Sequence, residues 1–488
     1  MNPAPDASAG PVSLSAGVAA GDITPGLGIQ LTGYAVREGG AKSVDEPLVL
    51  QALVLRDEAG ATAVILAADI CVIDVEHARR LRAAAASAAG TTEAHVLLNV
   101  NHSHSAPGIG SYTAAFPAEQ RRLHEGYWTR LLDTTAATVR AAVGRLEPAR
   151  MASGWGECHG NVNRRQRDPG GDIVLGENPA GPCDRSVGVV RFDDTDGRPL
   201  AVLFRYSCHT VTLGPRTNRI SPDFVGPARR LIESALGCPG VFLQGCAGNV
   251  NPATGIGQDD DASPHVLDDM NRLGQRLGAE VVQVAQTLNT FRRRKEPVFV
   301  ESVGRYWLFE YAGIAAVPAA RIAARTAELT LPLTPFPGRA EVEAERDSWA
   351  ARLETARQGG QSWQTNPLVR FLHWANLRLE AATSGPNPVE IAFPLQALAI
   401  GPLVFCAIPF EAMAETGLAL VAALGPDTFV LGFSNGLVSY LPTPEVSREG
   451  GMEARLGYKA YLVPSEIPGD WEPRIREFFT GNPTPGNP

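Results

Sequence analysis

The sequence predicts a mixed α and β fold, in which mixed β-sheets are flanked by helices. Two observations predict it. Apolar runs rich in branched residues alternate with runs of helical composition, and no linker-like break interrupts them. The 488 residues are 44% hydrophobic and 19% charged, which is enough for a substantial core. We expect a single domain over residues 14–478, between two loose tails at residues 1–13 and 479–488.

Strands and helices are predicted in turn along the chain. The predicted strands are VLQALVLRD (49–57), ATAVILAAD (61–69), AHVLLNVNH (94–102), VGVVRFDD (187–194), LAVLFRYSCH (200–209) and GVFLQGCAG (240–248). The predicted helices are 75–89, 118–145, 223–236 and 267–290. A charged block at 338–383 is expected to form a helical insertion or subdomain. Two further strands are predicted in 389–411, on either side of Gly401.

Two of the nine histidines lie one residue apart at the end of a predicted strand, His102 and His104 in LLNVNHSHSAPGIG (97–110). Successive strand side chains alternate between faces, so both imidazoles should point the same way. Imidazoles that converge from one side suit a single metal ion such as zinc. Two polar residues that merely cap a strand end would give the same pattern. The spacing alone leaves both interpretations open.

Three further polar residues also follow apolar strands: His209 in LFRYSCHTVTLG, Glu411 in LVFCAIPFEAMAETG and Tyr440 in GFSNGLVSYLPTPE. Each has an ordinary structural explanation, for example a carboxylate that favours the first turn of a helix. Polar side chains at strand ends far apart in sequence also fit a site where strand termini converge. We therefore expect a metal site at converging strand ends.

Two other motifs suggest different chemistry. GFSNG (432–436) matches G-x-S-x-G and would make Ser434 a nucleophile. However, the last histidine, His373, precedes this serine, and a strand-like segment follows where a helix is required. QGCAGNVNP (244–252) lacks the lysine and the spacing of a phosphate loop. We expect this turn to line a pocket with backbone N–H groups and asparagine side chains instead.

Composition narrows the partners and the cellular location. A net charge of −9 disfavours nucleic acids and anionic membrane surfaces as partners. No apolar run approaches the roughly 18 residues of a transmembrane helix, and the first residues lack the pattern of a secretory signal. The seven cysteines form no CxxC pair and predict buried thiols rather than disulfides. We expect a cytoplasmic protein.

The order of the motifs resembles that of the neutral (non-lysosomal) ceramidases, zinc-dependent amidases that release a fatty acid from an N-acylated sphingoid base. The resemblance runs through nearly the whole chain, and its order and spacing are more specific than any single motif. The matching stretches are AGDITP (20–25), LTGYA (31–35), NHSHSAPG (101–108), NVNRR (161–165), SCHTVT (207–212), ISPDFVGPARR (220–230), QGCAGNVNP (244–252), IPFEAMAETG (408–417) and SNGLVSYLPT (434–443).

The resemblance implies a zinc ion bound by four residues: His102, His209, Glu411 and Tyr440. Such an N/O ligand set suits Zn²⁺ and leaves a position for a water, which the metal would activate to attack a carbonyl. The resemblance also implies that His104 acts as an acid/base or substrate-binding group beside the metal. It places Arg164 and Asn163 in the substrate pocket.

Two positions depart from the family pattern. Asn251 stands where ceramidases carry a serine that contributes to the site. An asparagine cannot act as a nucleophile, but it can donate a hydrogen bond to a substrate carbonyl. Met452 stands where ceramidases have a pocket tyrosine. The family's immunoglobulin-like C-terminal domain and secretory signal are also expected to be absent, so a smaller soluble amide or ester is at least as good a substrate candidate as ceramide.

The sequence thus predicts a zinc-dependent amidohydrolase that cleaves the linear carboxamide of an N-acylated small molecule. Two alternatives stay open: an esterase or lactonase that uses the same centre, and an inactive homologue that binds a metal or a small molecule. Neither a nucleic-acid partner nor a transmembrane segment is expected, and the oligomeric state is left open. Asp69, at another strand end, is a candidate neighbour of a histidine or of a second ion.

Overall fold

A computed structural model describes residues 11–295, 297–314, 316–360 and 362–481. Its strands are β1 Val12–Asp22, β2 Ser43–Val44, β3 Val49–Arg56, β4 Thr62–Ala68, β5 Val72–Ile73, β6 Val96–Val100, β7 Gly108–Ile109, β8 Glu147–Glu157, β9 Asn161–Arg167, β10 Ile173–Asn178, β11 Ser186–Asp194, β12 Pro199–Tyr206, β13 Arg219–Ile220, β14 Gly240–Gln244, β15 Val250–Pro252, β16 Arg292–Arg294, β17 Val298–Glu301, β18 Arg305–Leu308, β19 Tyr311–Gly313, β20 Ile322–Pro332, β21 Glu390–Ile400, β22 Leu403–Ala407, β23 Glu411–Ala412, β24 Thr428–Leu431 and β25 Tyr440–Leu441. Its α-helices are α1 Val75–Ala89, α2 Ala118–Val143, α3 Val225–Leu236, α4 Asp268–Thr287, α5 Arg339–Gln358, α6 Ser362–Ser384, α7 Ala414–Leu424, α8 Pro444–Glu449, α9 Met452–Arg455, α10 Gly457–Ala460 and α11 Trp471–Thr480.

The largest sheet has eight strands in the order β14-β12-β11-β8-β1-β3-β4-β6. Two neighbouring pairs, β4 with β6 and β12 with β14, run parallel, and the other pairs are antiparallel. Both faces of this sheet are covered, since successive side chains of β3 enter different cores: Leu53 faces one core and Val54 the other. The strands therefore read as continuous apolar runs rather than alternating ones.

Four layers stack around these cores. Helices α1 to α4 cover one face of the large sheet. On its other face, Leu53 and Leu203 share a core with Leu398 and Phe405 of a second sheet, ordered β20-β21-β22-β24. Helices α5, α6, α7 and α11 cover the outer face of that second sheet, where Trp374 is fully buried. The mixed α and β fold with sheets flanked by helices is confirmed.

The charged block predicted at 338–383 forms two helices, α5 and α6. Its apolar residues are buried against the second sheet and against the segment near residue 463, where Trp374 Nε1 donates to the Val463 carbonyl at 2.7 Å. Helix α6 is thereby fixed beside the loops that follow β7 and α10, and it brings Arg370 towards the pocket described below.

The ends of the chain differ from the prediction. β1 begins at Val12, inside the predicted tail 1–13, because Val12 and Leu14 are buried in the core between the sheets. Helix α11 runs to Thr480, beyond the predicted start of the C-terminal tail, because Phe479 is buried. The remaining tail residues, 1–10 and 482–488, lie outside the described residues. The single-domain assignment stays a prediction. No helix within the described ranges combines the length and apolarity needed to cross a membrane.

Candidate metal centre

Two loops that follow strands of the large sheet bring His102 and His209 together. His102 lies two residues after β6, with a φ of 61°, and His209 lies three residues after β12. Their ring centroids are 4.9 Å apart. Nδ1 of His102 lies 2.6 Å from the Cys71 carbonyl oxygen, and Nδ1 of His209 lies 2.6 Å from that of Ala247. Because a carbonyl only accepts, both Nδ1 atoms donate, and both Nε2 atoms keep a lone pair for a metal.

Glu411 completes the cluster. Its Oε2 lies 3.1 Å from Nε2 of His209 and 3.6 Å from Nε2 of His102, and it has no hydrogen-bond partner within the described ranges. The ligand-capable atoms of these three residues lie within 4.8 Å of one another. A buried carboxylate oxygen beside two lone pairs is unfavourable unless a cation lies between them. The donor set therefore fits a metal ion.

The protonation states agree with this interpretation. Burial lowers the pKa of His102 to about 4, although Glu411 opposes the shift. Burial by itself would raise the pKa of Glu411, but His102, His209 and a hydrogen bond from Tyr461 lower it to about 2. At neutral pH the cluster therefore presents uncharged imidazoles and an ionised carboxylate, the state in which these groups bind metals.

A second group of potential ligands overlaps the first: Cys71, His102 and His104 are also close enough to share an ion. Burial raises the pKa of the Cys71 thiol to about 12, so this sulfur holds its proton and is a poor ligand. The cluster with Glu411 is the better candidate because its carboxylate is ionised and one of its oxygens is unpaired.

His104 lies beside the cluster. Its Nε2 is 3.1 Å from Nε2 of His102, and its buried Nδ1 has no partner among the described residues. Burial, together with the neighbouring histidines, lowers its pKa well below the usual value, so the ring is neutral. Gly33 gives this ring its space: a Cβ at Gly33, where φ is 95°, would lie 2.3 Å from Cγ of His104.

Arg164 of β9 connects the remaining predicted residues. Its guanidinium donates to Tyr440 Oη at 3.2 Å, to Asn251 Oδ1 at 3.3 Å and to Glu453 Oε1 at 3.0 Å. Tyr440 is held opposite Glu411 because β23 and β25 pair in parallel at these two residues. The structure thus brings Arg164, Asn251 and Tyr440 to the histidine cluster. The role of Tyr440 as a fourth metal ligand stays a prediction.

The two remaining predicted substrate-binding residues, Met452 and Asn163, lie in different surroundings. Met452 lines a cavity of about 150 Å³ together with His102 and Arg164. Asn163 lies on the opposite face of β9, where its Nδ2 donates to the Pro182 carbonyl and its Oδ1 accepts from the Arg165 amide. The prediction for Asn163 is at odds with this geometry, because neighbouring strand residues face opposite sides.

Two further residues suggested by the sequence, Asp69 and Ser434, are held by hydrogen bonds within the fold. Asp69 accepts from the Val49 amide, from Asn101 Nδ2 and from Arg229 Nη2, and it belongs to neither group of potential metal ligands among the described residues. Ser434 is fully buried, and its hydroxyl donates to the Gly432 carbonyl. Neither a second ion at Asp69 nor a serine nucleophile is supported.

Sequence reasoning missed Tyr461 and Glu453. Tyr461 Oη donates to Glu411 Oε1 at 2.6 Å and fixes the carboxylate so that Oε2 faces the histidines. Glu453 pairs with both Arg164 and Arg165 and is fully buried. Glu453 lies in the short helix α9, Tyr461 directly follows α10, and neither segment has an apolar repeat. Only the proximity of charged residues to the tyrosine-rich segment YKAYLVP offered a signal.

Known proteins share this arrangement of the chain. Residues 14–265, just over half of the sequence, match the family model "neutral/alkaline non-lysosomal ceramidase, N-terminal". The neutral ceramidase of Pseudomonas aeruginosa is 26% identical over 203 residues, which are 40% of this chain and 29% of that protein. Neutral ceramidase B of Dictyostelium discoideum is 26% identical over 275 residues, 53% of this chain and 38% of that protein. The matched segments thus span less than two fifths of these relatives.

The fold is also shared with solved structures. The crystal structure of neutral ceramidase from Pseudomonas aeruginosa superposes with a TM-score of 0.65 over 96% of this chain and 74% of that chain, at 18% identity. A structure described as ceramidase complexed with C2 gives a TM-score of 0.64 with the same coverage and identity. At this identity the structural likeness shows the fold, and the family model shows the kinship. The chain belongs to the neutral/alkaline non-lysosomal ceramidase family.

Proposed function

We propose that this protein is a zinc-dependent amidohydrolase that cleaves the carboxamide of an N-acylated small molecule. The observation that carries the proposal is the unpaired Oε2 of Glu411, which faces the lone pairs of His102 and His209 in a buried pocket. Membership of the ceramidase family supports the reaction class. Three protein ligands, with Tyr440 close by, suit a catalytic rather than a closed structural zinc site.

When bound, zinc supplies Lewis acidity towards a carbonyl and a water nucleophile at neutral pH. The chain itself binds and orients the substrate. The Arg164 guanidinium is held by Glu453, and the N–H groups that donate to Asn251 and Tyr440 can donate to a substrate carbonyl oxygen instead. The buried walls exclude bulk water, which strengthens these polar contacts.

His104 is suited to move the proton. The ring is neutral, so one of its nitrogens has a lone pair that can accept a proton. The proton released by the attacking water can pass through this ring to the departing amine, whose release as a free anion would be prohibitive.

The test combines metal content with turnover. Wild-type protein and the variants His102→Ala, His209→Ala and His124→Ala are purified without added metal and examined by elemental analysis. His124 is the matched control, since it is buried but bonds only to the Gly108 and Gln30 carbonyls. We expect about one zinc per chain in the wild type and in the control, and none in the other two variants.

The same four proteins are then assayed with an amide and an ester of one acyl group. Amide cleavage that disappears with the metal supports the proposal. Cleavage of the ester alone would replace the amidase assignment with an esterase, and metal without any turnover would indicate a binding protein. Zinc that persists in both histidine variants would remove the proposed centre altogether.

A further inference from the structure

A larger cavity adjoins the pocket of the metal centre. Its volume is about 510 Å³, and Gly33, Tyr34 and Tyr112 line both this cavity and the smaller pocket, so the two spaces are neighbours. Aromatic and aliphatic side chains such as Phe116 and Val369 form much of its wall. A substrate bound at the metal centre has room to extend an apolar portion into this space.

One wall residue is a buried cation, Arg370 of α6, which is 6% exposed. Its Nε donates to the Ala460 carbonyl at 2.7 Å, and its Nη1 donates to the Tyr112 carbonyl at 2.8 Å. The guanidinium carbon lies 3.8 Å from the centroid of the Tyr112 ring. Its Nη2 is buried without a hydrogen-bond partner, and no carboxylate among the described residues forms an ion pair with it.

The other buried arginines near the site show how unusual this is. Arg164 and Arg165 share Glu453, and Arg378, two turns further along α6, pairs with Glu345 at 3.2 Å. A buried charge without a counter-charge is costly unless a partner arrives. Arg82 shows that carbonyl oxygens can satisfy a buried arginine: it donates to two carbonyls, and none of its nitrogens is buried and unpaired. Arg370 differs in its unpaired Nη2 and in its place on a cavity wall.

A second buried cation reinforces the positive potential. Arg37, 1% exposed, donates from Nη1 to the His104 carbonyl, while its Nε is buried without a partner in the described chain. Its own carbonyl accepts from Asn366, a residue of the cavity wall one turn of α6 before Arg370. The one acidic residue among the described wall residues, Glu119, is exposed to solvent. No buried carboxylate therefore lies among the described wall residues of this cavity.

We infer that this cavity receives a carboxylate carried by the substrate, which makes N-acyl amino acids and similar acidic N-acyl compounds the preferred substrates of the proposed hydrolase. A planar monoanion suits a guanidinium with one unpaired nitrogen, and the apolar wall accommodates the aliphatic part. The neutral diol of a sphingoid base would leave the cations uncompensated. The inference rests on the proposed function, and Arg370 is its specificity-determining residue.

The test uses two substrates that differ in one terminal group: N-dodecanoylglycine, which ends in a carboxylate, and N-dodecanoylethanolamine, which ends in a hydroxyl. Wild-type protein is expected to favour the charged substrate in kcat/KM by about 10- to 100-fold, the range of a charge-assisted hydrogen bond. In Arg370→Met this preference should disappear, mainly through a raised KM for N-dodecanoylglycine. Arg370→Lys, which keeps the charge but not the planar fork, should show an intermediate preference.

Arg378→Met is the matched control. Arg378 is 8% exposed, lies on the same helix and holds the neighbouring Pro464 carbonyl, but it does not line the cavity. This variant should keep the wild-type preference even if it is less stable. A wild type without preference overturns the inference, and so does a preference that survives in Arg370→Met and Arg370→Lys.

Binding separates failure of this inference from failure of the proposed function. Calorimetric titration of His102→Ala protein, where no turnover is expected, with N-dodecanoylglycine should give an affinity that falls by about 10- to 100-fold when Arg370→Met is added. If wild-type protein hydrolyses neither compound but binds N-dodecanoylglycine with an affinity that depends on Arg370, the anion site is supported and the hydrolase is ruled out. Equal hydrolysis of both compounds by the wild type, the two Arg370 variants and Arg378→Met would support the hydrolase and rule out the anion site.

Discussion

The pocket of the metal centre and the cavity beside it treat buried charge in opposite ways. Around the centre, Arg164 is paired with Glu453, and the carboxylate of Glu411 faces groups that would share a cation with it. Arg370, in the wall of the larger cavity, and Arg37 have carbonyl oxygens and aromatic rings as their described partners. In the first region the chain itself supplies the counter-charge of the buried arginine, whereas the second region leaves the counter-charge to a ligand.

The largest expected effect falls on the centre itself. Glu411→Gln should lose the metal, and amide turnover should fall by about 10³-fold or more, because a bound metal supplies several kcal/mol of transition-state stabilisation. Glu415→Gln is the control, since Glu415 lies four residues further along the chain and accepts only from Asn249 among the described side chains. Elemental analysis and initial rates measure both effects. Full metal occupancy in Glu411→Gln would contradict the assigned cluster.

The paired charges around the centre should be costly to break. Glu453→Gln removes the counter-charge of two buried arginines, Arg164 and Arg165, and should lower the free energy of unfolding by about 3–5 kcal/mol. Glu449→Gln, in which the affected carboxylate is 30% exposed, should cost about 1 kcal/mol or less. Urea unfolding followed by circular dichroism compares them. Equal decreases in the free energy of unfolding would show that burial of the carboxylate does not determine the cost of removing its charge.

An unpaired buried acid should give the stability a pH dependence. Burial raises the pKa of Asp223 to about 6, although hydrogen bonds from the Leu213 amide and the Thr212 hydroxyl oppose the shift. The folded state then binds a proton more readily than the unfolded chain, whose aspartate pKa is about 3.9. The stabilisation contributed by this group is therefore complete below about pH 4 and is lost as the pH rises through 6, about 2–3 kcal/mol in all.

Asp223→Asn isolates this contribution, since asparagine tolerates the residue's positive φ of 57° and does not titrate. The free energy of unfolding of the wild type minus that of the variant should fall between pH 4 and pH 7, as measured by urea titration at both ends. A difference that stays level with pH would show that Asp223 is ionised throughout.

The hydrogen bond that orients the carboxylate should matter less than the carboxylate. Tyr461→Phe removes the donor to Glu411 Oε1 and should weaken metal binding by about 10- to 100-fold, as is typical for groups that orient a ligand. Competition with a chelator of known affinity measures this change. Tyr458→Phe, also buried but without a described contact to Glu411, should leave the affinity unchanged. Identical affinities in the wild type and Tyr461→Phe would sink the orienting role.

The smallest effect is expected at Ser434. Ser434→Ala removes hydrogen bonds with Asn99 and the Gly432 carbonyl and should cost about 1 kcal/mol of stability. Amide turnover at saturating substrate should stay at the wild-type level, because the hydroxyl is buried in the fold. If Ser434→Ala folds but has no amidase activity, Ser434 would have to be considered as the nucleophile.

The long elements of the fold could be predicted from the sequence because they depend on apolar periodicity. The strands β3, β4, β6 and β14 fall within predicted apolar runs, and β11 and β12 each begin one residue before theirs. The two-residue strands could not be predicted, since each exists only through its partner. The pairing of Glu411 with Tyr440 is an example: the segments lie far apart in the chain, and no local pattern specifies their register.

The candidate site was also predictable only in part. His102, His209 and Glu411 follow predicted strands, so convergence of strand ends was enough to group them. Tyr461 and Arg370 come from helical segments whose position depends on tertiary packing, and composition says nothing about which of their faces meets the pocket. Asn163 and Arg164 are adjacent, and only the side of β9 that faces the site decides between them.

The cluster that joins His102, His209 and Glu411 also sets an order of events on the ribosome. The two histidines emerge first, and about 200 further residues follow before the carboxylate. At about 5–20 residues per second this delay lasts about 10–40 s. During that interval the nascent chain offers two imidazoles without the charged oxygen that distinguishes a tight site from a weak one. A cation held by all three residues would therefore be captured only after Glu411 has left the ribosome.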